Sequence, residues 1–228
     1  MRIFLLAAAL GLAACSPPAA APKQDAAPPG AAQAAVSVNG VPSGVYTTDK
    51  AHSSLLVRLN HLSYSHFTAR FETWNAQLQL DPAHPEAAGL NVNIDPRSIS
   101  SDNPPAGFLN IMRGPDFLDA AHFNTISFHA TGIERTGANT ARIIGNLTLH
   151  GVTKPISLDA TFNGGYGGMQ LDPHARIGFS AHGTFKRSDF GMGYGVPPPG
   201  SNMGVGDDVE IVVETEMSGP AWTAPAQP

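Results

Sequence analysis

The chain has 228 residues, with 13 Lys and Arg against 18 Asp and Glu for a formal charge of −5. No basic cluster occurs anywhere, which argues against nucleic acid and anionic lipid head groups as partners. Charged residues make up only 14% of the chain while Gly and Pro number 24 and 20, a composition that suits a β-rich domain, and the single cysteine excludes an intramolecular disulfide.

The N-terminus reads as an export signal. Met1 and Arg2 give a minimal positive start, and residues 3–12 form an apolar run interrupted only by small side chains. That run is far shorter than the ~20 residues a membrane-spanning helix needs. Leu12-Ala13-Ala14-Cys15 follows at its end and resembles the lipobox of bacterial lipoproteins. The resemblance implies cleavage after residue 14 and acylation of Cys15 with diacylglycerol and a further chain such as palmitate. More than one acyl chain is what stable anchoring requires. By the same resemblance the protein belongs to the bacterial cell envelope, lipid-anchored to a membrane with its domain in the periplasm. Ser16 is not an acidic retention signal, which favours the outer membrane over the inner.

Residues 16–40 are nearly all Ala, Pro, Gly, Ser and Gln, with no aromatic side chain and no hydrophobic period. Such a segment buries too little apolar surface to offset its ordering entropy and reads as a tether. Residues 41–219 are expected to form one domain and residues 220–228 a short tail.

Within the domain, apolar and polar residues alternate with the period of a strand. Leu55, Val57 and Leu59 share one face. Next, Phe71 and Trp74 are three apart, after which Ala76, Leu78 and Leu80 resume the period, so a β-bulge is expected between the two aromatics. Leu90, Val92 and Ile94 follow. Residues 104–119 lack the alternation and instead place Phe108, Met112 and Leu118 on a helical face after the N-cap candidates Asp102 and Asn103. Strands resume with Ile126, Phe128 and Ala130; Ile143, Gly145, Leu147 and Leu149; and Ile156, Leu158, Ala160 and Phe162. Ile177, Phe179, Ala181 and Phe185 come next, and Val209, Ile211 and Val213 close the series. About eight strands with one short helical excursion suit an all-β fold: an eight-stranded antiparallel barrel with no edges, or a two-sheet sandwich with a filled centre. Small residues at the inward positions Gly145, Ala160, Ala181 and Gly183 favour leftover space.

The segment from Gly145 to Ile156, reading GNLTLHGVTKPI, resembles the central motif of the YceI-like family. Further likenesses follow in order: Tyr46 with Asp49 and His52-Ser53; Asp95 to Ser100; Phe117-Leu118-Asp119 with Ile126-Ser127-Phe128; Arg187 to Met192; and Gly206 to Val209. The resemblance spans about 45–217 and implies a lipocalin-like barrel that binds a lipid or polyisoprenoid in the periplasm. Two positions depart from the family pattern: Asn124 stands where a proline is common, and Ile111 stands where a histidine is expected. The second implies a more apolar helix at the cavity wall.

The nine histidines form no metal-site pattern, so no metal and no cofactor is expected. His150 is read as bonding its own turn, His129 and His182 as outward, and His61 as a barrel-end residue on the inward parity. No Gly-x-Ser-x-Gly elbow occurs and the one cysteine is assigned to lipid, so no catalytic residue and no enzymatic activity are expected. In Arg187-Ser188-Asp189, Asp189 is expected to pair with Arg187 or to cap backbone N–H groups. The Gly- and Pro-rich residues 193–205 combine flexibility with apolar groups and either gate a barrel mouth or simply connect two strands.

The expected ligand-lining set is Leu55, Val57, Leu59, His61, Phe71, Trp74, Val92, Ile94, Phe108, Phe128, Leu147, Leu149 and Phe179. At ~0.8 kcal/mol per buried CH₂-sized group, one isoprene unit contributes roughly 3 to 4 kcal/mol before ordering costs. The ligand class is therefore a polyisoprenoid, an isoprenoid quinone or a fatty-acyl lipid. The alternative is an envelope stress or interaction protein whose barrel is packed solid. A homodimer is left open.

Overall fold

The computed structural model describes residues 40–224. Residues 1–39 and 225–228 lie outside the described residues, and with them the expected signal peptide, Cys15 and nearly all of the tether.

The described chain forms one antiparallel sheet that closes on itself. Its strands are β1 (Gly44–Thr48), β2 (Ser54–His61), β3 (Ser65–Phe71), β4 (Trp74–Leu80), β5 (Gly89–Ile94) and β6 (Ile99–Ser100). After a single helix, α1 (Phe108–Arg113), come β7 (Ile126–Arg135), β8 (Thr140–Leu149), β9 (Val152–Tyr166), β10 (His174–Lys186) and β11 (Val205–Ala221). These segments make eight staves, because β1 and β2, β3 and β4, and β5 and β6 are the halves of three bent strands. The long β11 closes the ring by pairing β10 on one side and both β1 and β2 on the other. The result is a closed eight-stranded barrel, with no second sheet as a sandwich would require.

Each bend has a local cause. Between β1 and β2 the Asp49 carboxylate accepts the Ala51 N–H at 3.0 Å and starts a single 3-10 turn over Lys50–His52. Between β3 and β4 the bulge falls at Glu72-Thr73, where Glu72 N–H donates to the Ser98 carbonyl and Thr73 accepts from Asp95 N–H. This offset brings both Phe71 and Trp74 to the interior. Strands β8 and β9 join through His150-Gly151, both at positive φ as a two-residue hairpin turn needs.

Three expectations are corrected. The helix is only Phe108–Arg113 and its N-cap is Gly107, not Asp102 or Asn103. Pro104 and Pro105 hold the residues before them out of helical geometry, and Pro115 does the same to Gly114 at the other end. The sheet also runs past residue 219: β11 continues to Ala221, and Trp222 N–H donates to the Pro173 carbonyl at 2.9 Å. Finally, Gly145 and Gly183 do not leave empty space. A Cβ on Gly145 would lie 2.4 Å from Phe128 Cζ, and one on Gly183 would lie 2.6 Å from Leu158 Cδ2. The missing side chains let cross-strand neighbours lie flat over the backbone.

The barrel has two distinct ends. The entry end, named for the chain's own entry into the sheet, holds the start of β1, the β4–β5 connection and the β7–β8 hairpin. The helix end holds the β2–β3 and β8–β9 hairpins, α1 and residues 187–204. At the entry end Val41, Tyr46, Ala175 and Ile177 are buried together, and Tyr46 seals the corner by donating its hydroxyl to the Pro42 carbonyl at 2.7 Å. None of the four borders the open interior.

Candidate ligand-binding cavity

The inward side chains do not fill the barrel. They surround a cavity of about 900 Å³. Val57, Leu59, Val92, Ile94, Phe179, Ile211 and Val213 point inward yet remain only half-buried, because the space they face is open. A solidly packed centre would bury them fully.

The structure places all thirteen residues of the expected lining set on this cavity. Leu55, Phe71, Trp74, Phe128, Leu147 and Leu149 are buried in its wall. His61, the last residue of β2, is exposed and stands at the rim, not deep inside. Phe108 of α1 packs edge-on against Phe67 of β3 with ring centroids 5.5 Å apart, so the helix forms a wall at that end. Ile111, which was expected to make this helix more apolar, is 57% exposed and is not among the cavity-lining residues. Phe108 and Met112, on the expected helical face, border the cavity, as does Leu118 beyond the helix.

Several lining residues go beyond the expected set. Ile156, Leu158, Phe162, Phe185, Ile211 and Val213 share the parity of strands that the alternation already identified, so the signal was present. Phe67 shares the inward parity of Phe71 on β3 and pairs with Leu59 of β2. Phe117, Met192 and Arg187 come from irregular segments, and no periodicity marks them.

Arg187 is the largest departure from expectation. Its residue is 2% exposed and it pairs with no carboxylate. Instead Nε donates to Gly206 O at 3.0 Å, Nη1 to Met192 O and Tyr194 O at 2.8 Å each, and Nη2 to Val205 O at 2.9 Å. Burial pushes its pKa down, partly opposed by the nearby Asp207 charge. The forked guanidinium therefore gathers both ends of the 191–205 loop onto one side chain. Asp189 turns outward to Lys154 at 3.2 Å, and it is Asp207 that accepts the Ser188 N–H and hydroxyl. His150 bonds the Phe190 carbonyl at 3.0 Å rather than its own turn, linking the β8–β9 hairpin to the same region. His129 and His182 are exposed on the outer face.

The lining is otherwise mainly aliphatic and aromatic, with Thr215 of β11 in its body and other polar groups toward the ends. Ser101, Asp102 and Asn103 stand at the helix end; Arg135, Asn139 and Thr140 stand at the entry end. One group able to ligate a metal, Asp49, His52 and Glu216, lies outside the barrel on the first bend. Asp49 is already committed there to His52, to Ala51 N–H and to Arg176, which together hold its carboxyl below the usual range. A cation at this point would have to compete with the Arg176 guanidinium. Among the described residues, no helix is long and apolar enough to cross a membrane.

A closed antiparallel barrel around a mainly apolar interior of this size has the form of a barrel that can hold a hydrophobic ligand. The YceI-like domain model matches residues 46–217, and the chain belongs to that family. It is 34% identical to a UPF0312 protein of Shewanella oneidensis over 172 residues, which covers 75% of this chain and 85% of the relative. A UPF0312 protein of Pseudomonas syringae pv. tomato is 36% identical over 64% of this chain and 76% of its own length. Among solved structures, a YceI protein of Campylobacter jejuni is 28% identical with a TM-score of 0.58, covering 69% of this chain and 88% of that one. BcnA of Burkholderia cenocepacia shares the fold at 21% identity and a TM-score of 0.61, over 74% of this chain and 98% of that one. So does a polyisoprenoid binding domain of Saccharophagus degradans, at 14% identity and a TM-score of 0.56, over 78% and 100% of the two chains.

Proposed function

We propose that this protein is an envelope binding protein that holds an isoprenoid-type or other long-chain lipid in its barrel and exchanges it with a nearby membrane. The observation that carries the proposal is the hollow apolar interior of about 900 Å³. Such a space rewards burial of a flexible hydrocarbon at ~0.8 kcal/mol per CH₂-sized group. At that rate about four isoprene units would offset even the upper end of an association cost of roughly 4 to 15 kcal/mol. The mechanism is burial and release, with no bond made or broken. A structural relative described as a polyisoprenoid binding domain supports the ligand class.

The address belongs to the same proposal. Cys15, acylated, would anchor the domain in the periplasm, at the outer membrane rather than the inner. A flexible tether of about 25 residues spans roughly 25 to 30 Å, which suits local exchange and storage better than transport across the periplasm.

The test is direct. The protein is purified from envelopes, extracted with organic solvent and the released lipid identified by mass spectrometry, with the intact mass reporting acylation of Cys15. A stoichiometric prenyl or acyl lipid beyond the anchor is expected. Absence of released lipid together with no uptake of added quinone overturns the binding role, and an unmodified Cys15 overturns the anchor.

A further inference from the structure

The inward apolar residues explain how the cavity holds a chain, and the charged residues on its lining differ between the two ends. Histidine aside, these are Asp102, Arg135 and Arg187. Arg187 is spent on backbone carbonyls, and Asp102 stands at the helix end. Arg135, the last residue of β7, stands at the entry end on the inward parity of Ile133. Among the described residues, Arg58, Arg70, Arg97, Arg142 and Arg176 face carboxylates, while Arg113 and Arg187 bond backbone carbonyls. Arg135 alone among those arginines has neither kind of partner. It is exposed where β7 turns into β8, and it lies across the ladder from Ala141, which also borders the cavity. Asn139 and Thr140 of the same hairpin are on the lining too. Thr140 Oγ1 accepts from the Thr136 hydroxyl at 3.0 Å, which leaves its own O–H to donate, and Asn139 spends one amide N–H on the Phe162 carbonyl at 3.3 Å. The turn that carries these groups is fixed, because the Thr136 and Gly137 N–H groups donate to the Thr140 carbonyl at 3.0 and 3.2 Å.

We infer that Arg135 receives the anionic oxygens of a bound amphiphile, a carboxylate or a phosphate, at the entry end, so that the tail runs toward the helix end. This rests on the proposed lipid-binding role and adds a charge selectivity and an orientation to it. A guanidinium presents its donors as a planar fork that matches carboxylate and phosphate oxygens, and here that fork is uncommitted. Thr140 and Asn139 add uncharged donors on the same hairpin. The opposite mouth repels such a head, because Asp102 borders it with its side chain 92% exposed and Arg70 no nearer than 3.7 Å. Phe108, Met112, Phe117 and Met192 at that end suit a tail instead. One arginine serves one bound molecule, whereas attraction to an anionic membrane surface needs a cluster of basic residues.

The full-length protein is stripped of lipid and titrated above neutral pH with three probes of one chain length: a fatty acid, an alkyl monophosphate and the alcohol. Binding is read from tryptophan fluorescence and calorimetry. Wild type is expected to bind the better anion about tenfold more tightly than the alcohol, and whichever anion leads identifies the head. In Arg135→Gln that preference falls toward parity, with folding checked by circular dichroism. Arg142→Gln, which removes an outward charge paired with Asp159, keeps it. An anion preference absent in wild type, retained in Arg135→Gln, or lost equally in Arg142→Gln overturns the inference. Orientation is read with a fatty acid carrying a photoreactive diazirine at its far end. Crosslinks are expected at Phe108, Met112 or Met192, and crosslinks confined to residues 82–88 and 138–141 overturn the head-to-tail direction. Failure of all three probes to bind overturns the cavity's role itself, a result distinct from the loss of preference alone.

Discussion

Two regions of this barrel obey the same alternation and end in opposite states. At the entry corner Val41, Tyr46, Ala175 and Ile177 are buried against one another and Tyr46 is 0% exposed. In the body, Val57, Val92, Ile94 and Val213 point inward just as regularly yet face open space. The difference lies in side-chain reach. A tyrosine laid across from β1, with its hydroxyl fixed to Pro42, fills the narrow corner. Valine and isoleucine on opposed staves cannot meet across the full width of an eight-stranded barrel. Inward parity therefore means core in one place and binding surface in the other, and stability and ligand capacity should separate by region.

The largest effect tests the solid corner. Tyr46→Ala removes a fully buried ring and its hydroxyl bond and should cost roughly 3–5 kcal/mol in urea unfolding, with little change in lipid affinity among molecules that remain folded. A loss below about 1 kcal/mol would mean the corner is not packed as described. Next comes Arg187→Met, which strands four backbone carbonyls and should cost about 3 kcal/mol. Hydrogen exchange should rise across residues 191–205 while β7 to β9 stay protected. Uniform exchange across the barrel would count against a local clasp.

Val57→Ala sharpens the comparison from the hollow side. Its side chain already borders open space, so little new void is created and the cost should be about 1 kcal/mol or less. Lipid affinity should fall by about tenfold, as expected for losing two CH₂-sized contacts. A destabilisation as large as that of a buried aliphatic truncation would show that the interior collapses around Val57.

The smallest effect is one of pH. Asp49 is held below the usual carboxylate range by His52, by Ala51 N–H and by Arg176, and Asp95 by Arg97. A depressed folded-state pKa adds stability that is fully present above the unfolded value of about 3.9 and is lost as pH falls through the folded one. Melting temperature should accordingly decline as pH drops below about 4, and Asp49→Asn should flatten that decline without altering lipid binding. An unchanged profile would remove these carboxylates from the account.

Much of the molecule is legible in the chain, and the limit is physical. Period-two patterning is imposed wherever one strand face meets water and the other does not, so Leu55 to Leu59, Leu90 to Ile94 and Ile156 to Phe162 announce strands and the faces that border the cavity. The slip between Phe71 and Trp74 marks its own bulge. Irregular segments carry no such period. Arg187 looks like a surface charge in sequence and is a buried clasp, because its four acceptors come from residues 192–206, which only folding brings around it. Ile111, standing where the family pattern has a histidine, faces solvent and adds nothing apolar to the cavity, because the short helix turns Phe108 and Met112 inward. By itself the sequence determined which faces turn inward, since burial is written residue by residue. Whether those faces met or stood apart was decided only by the closed barrel, whose width is a property of eight strands together.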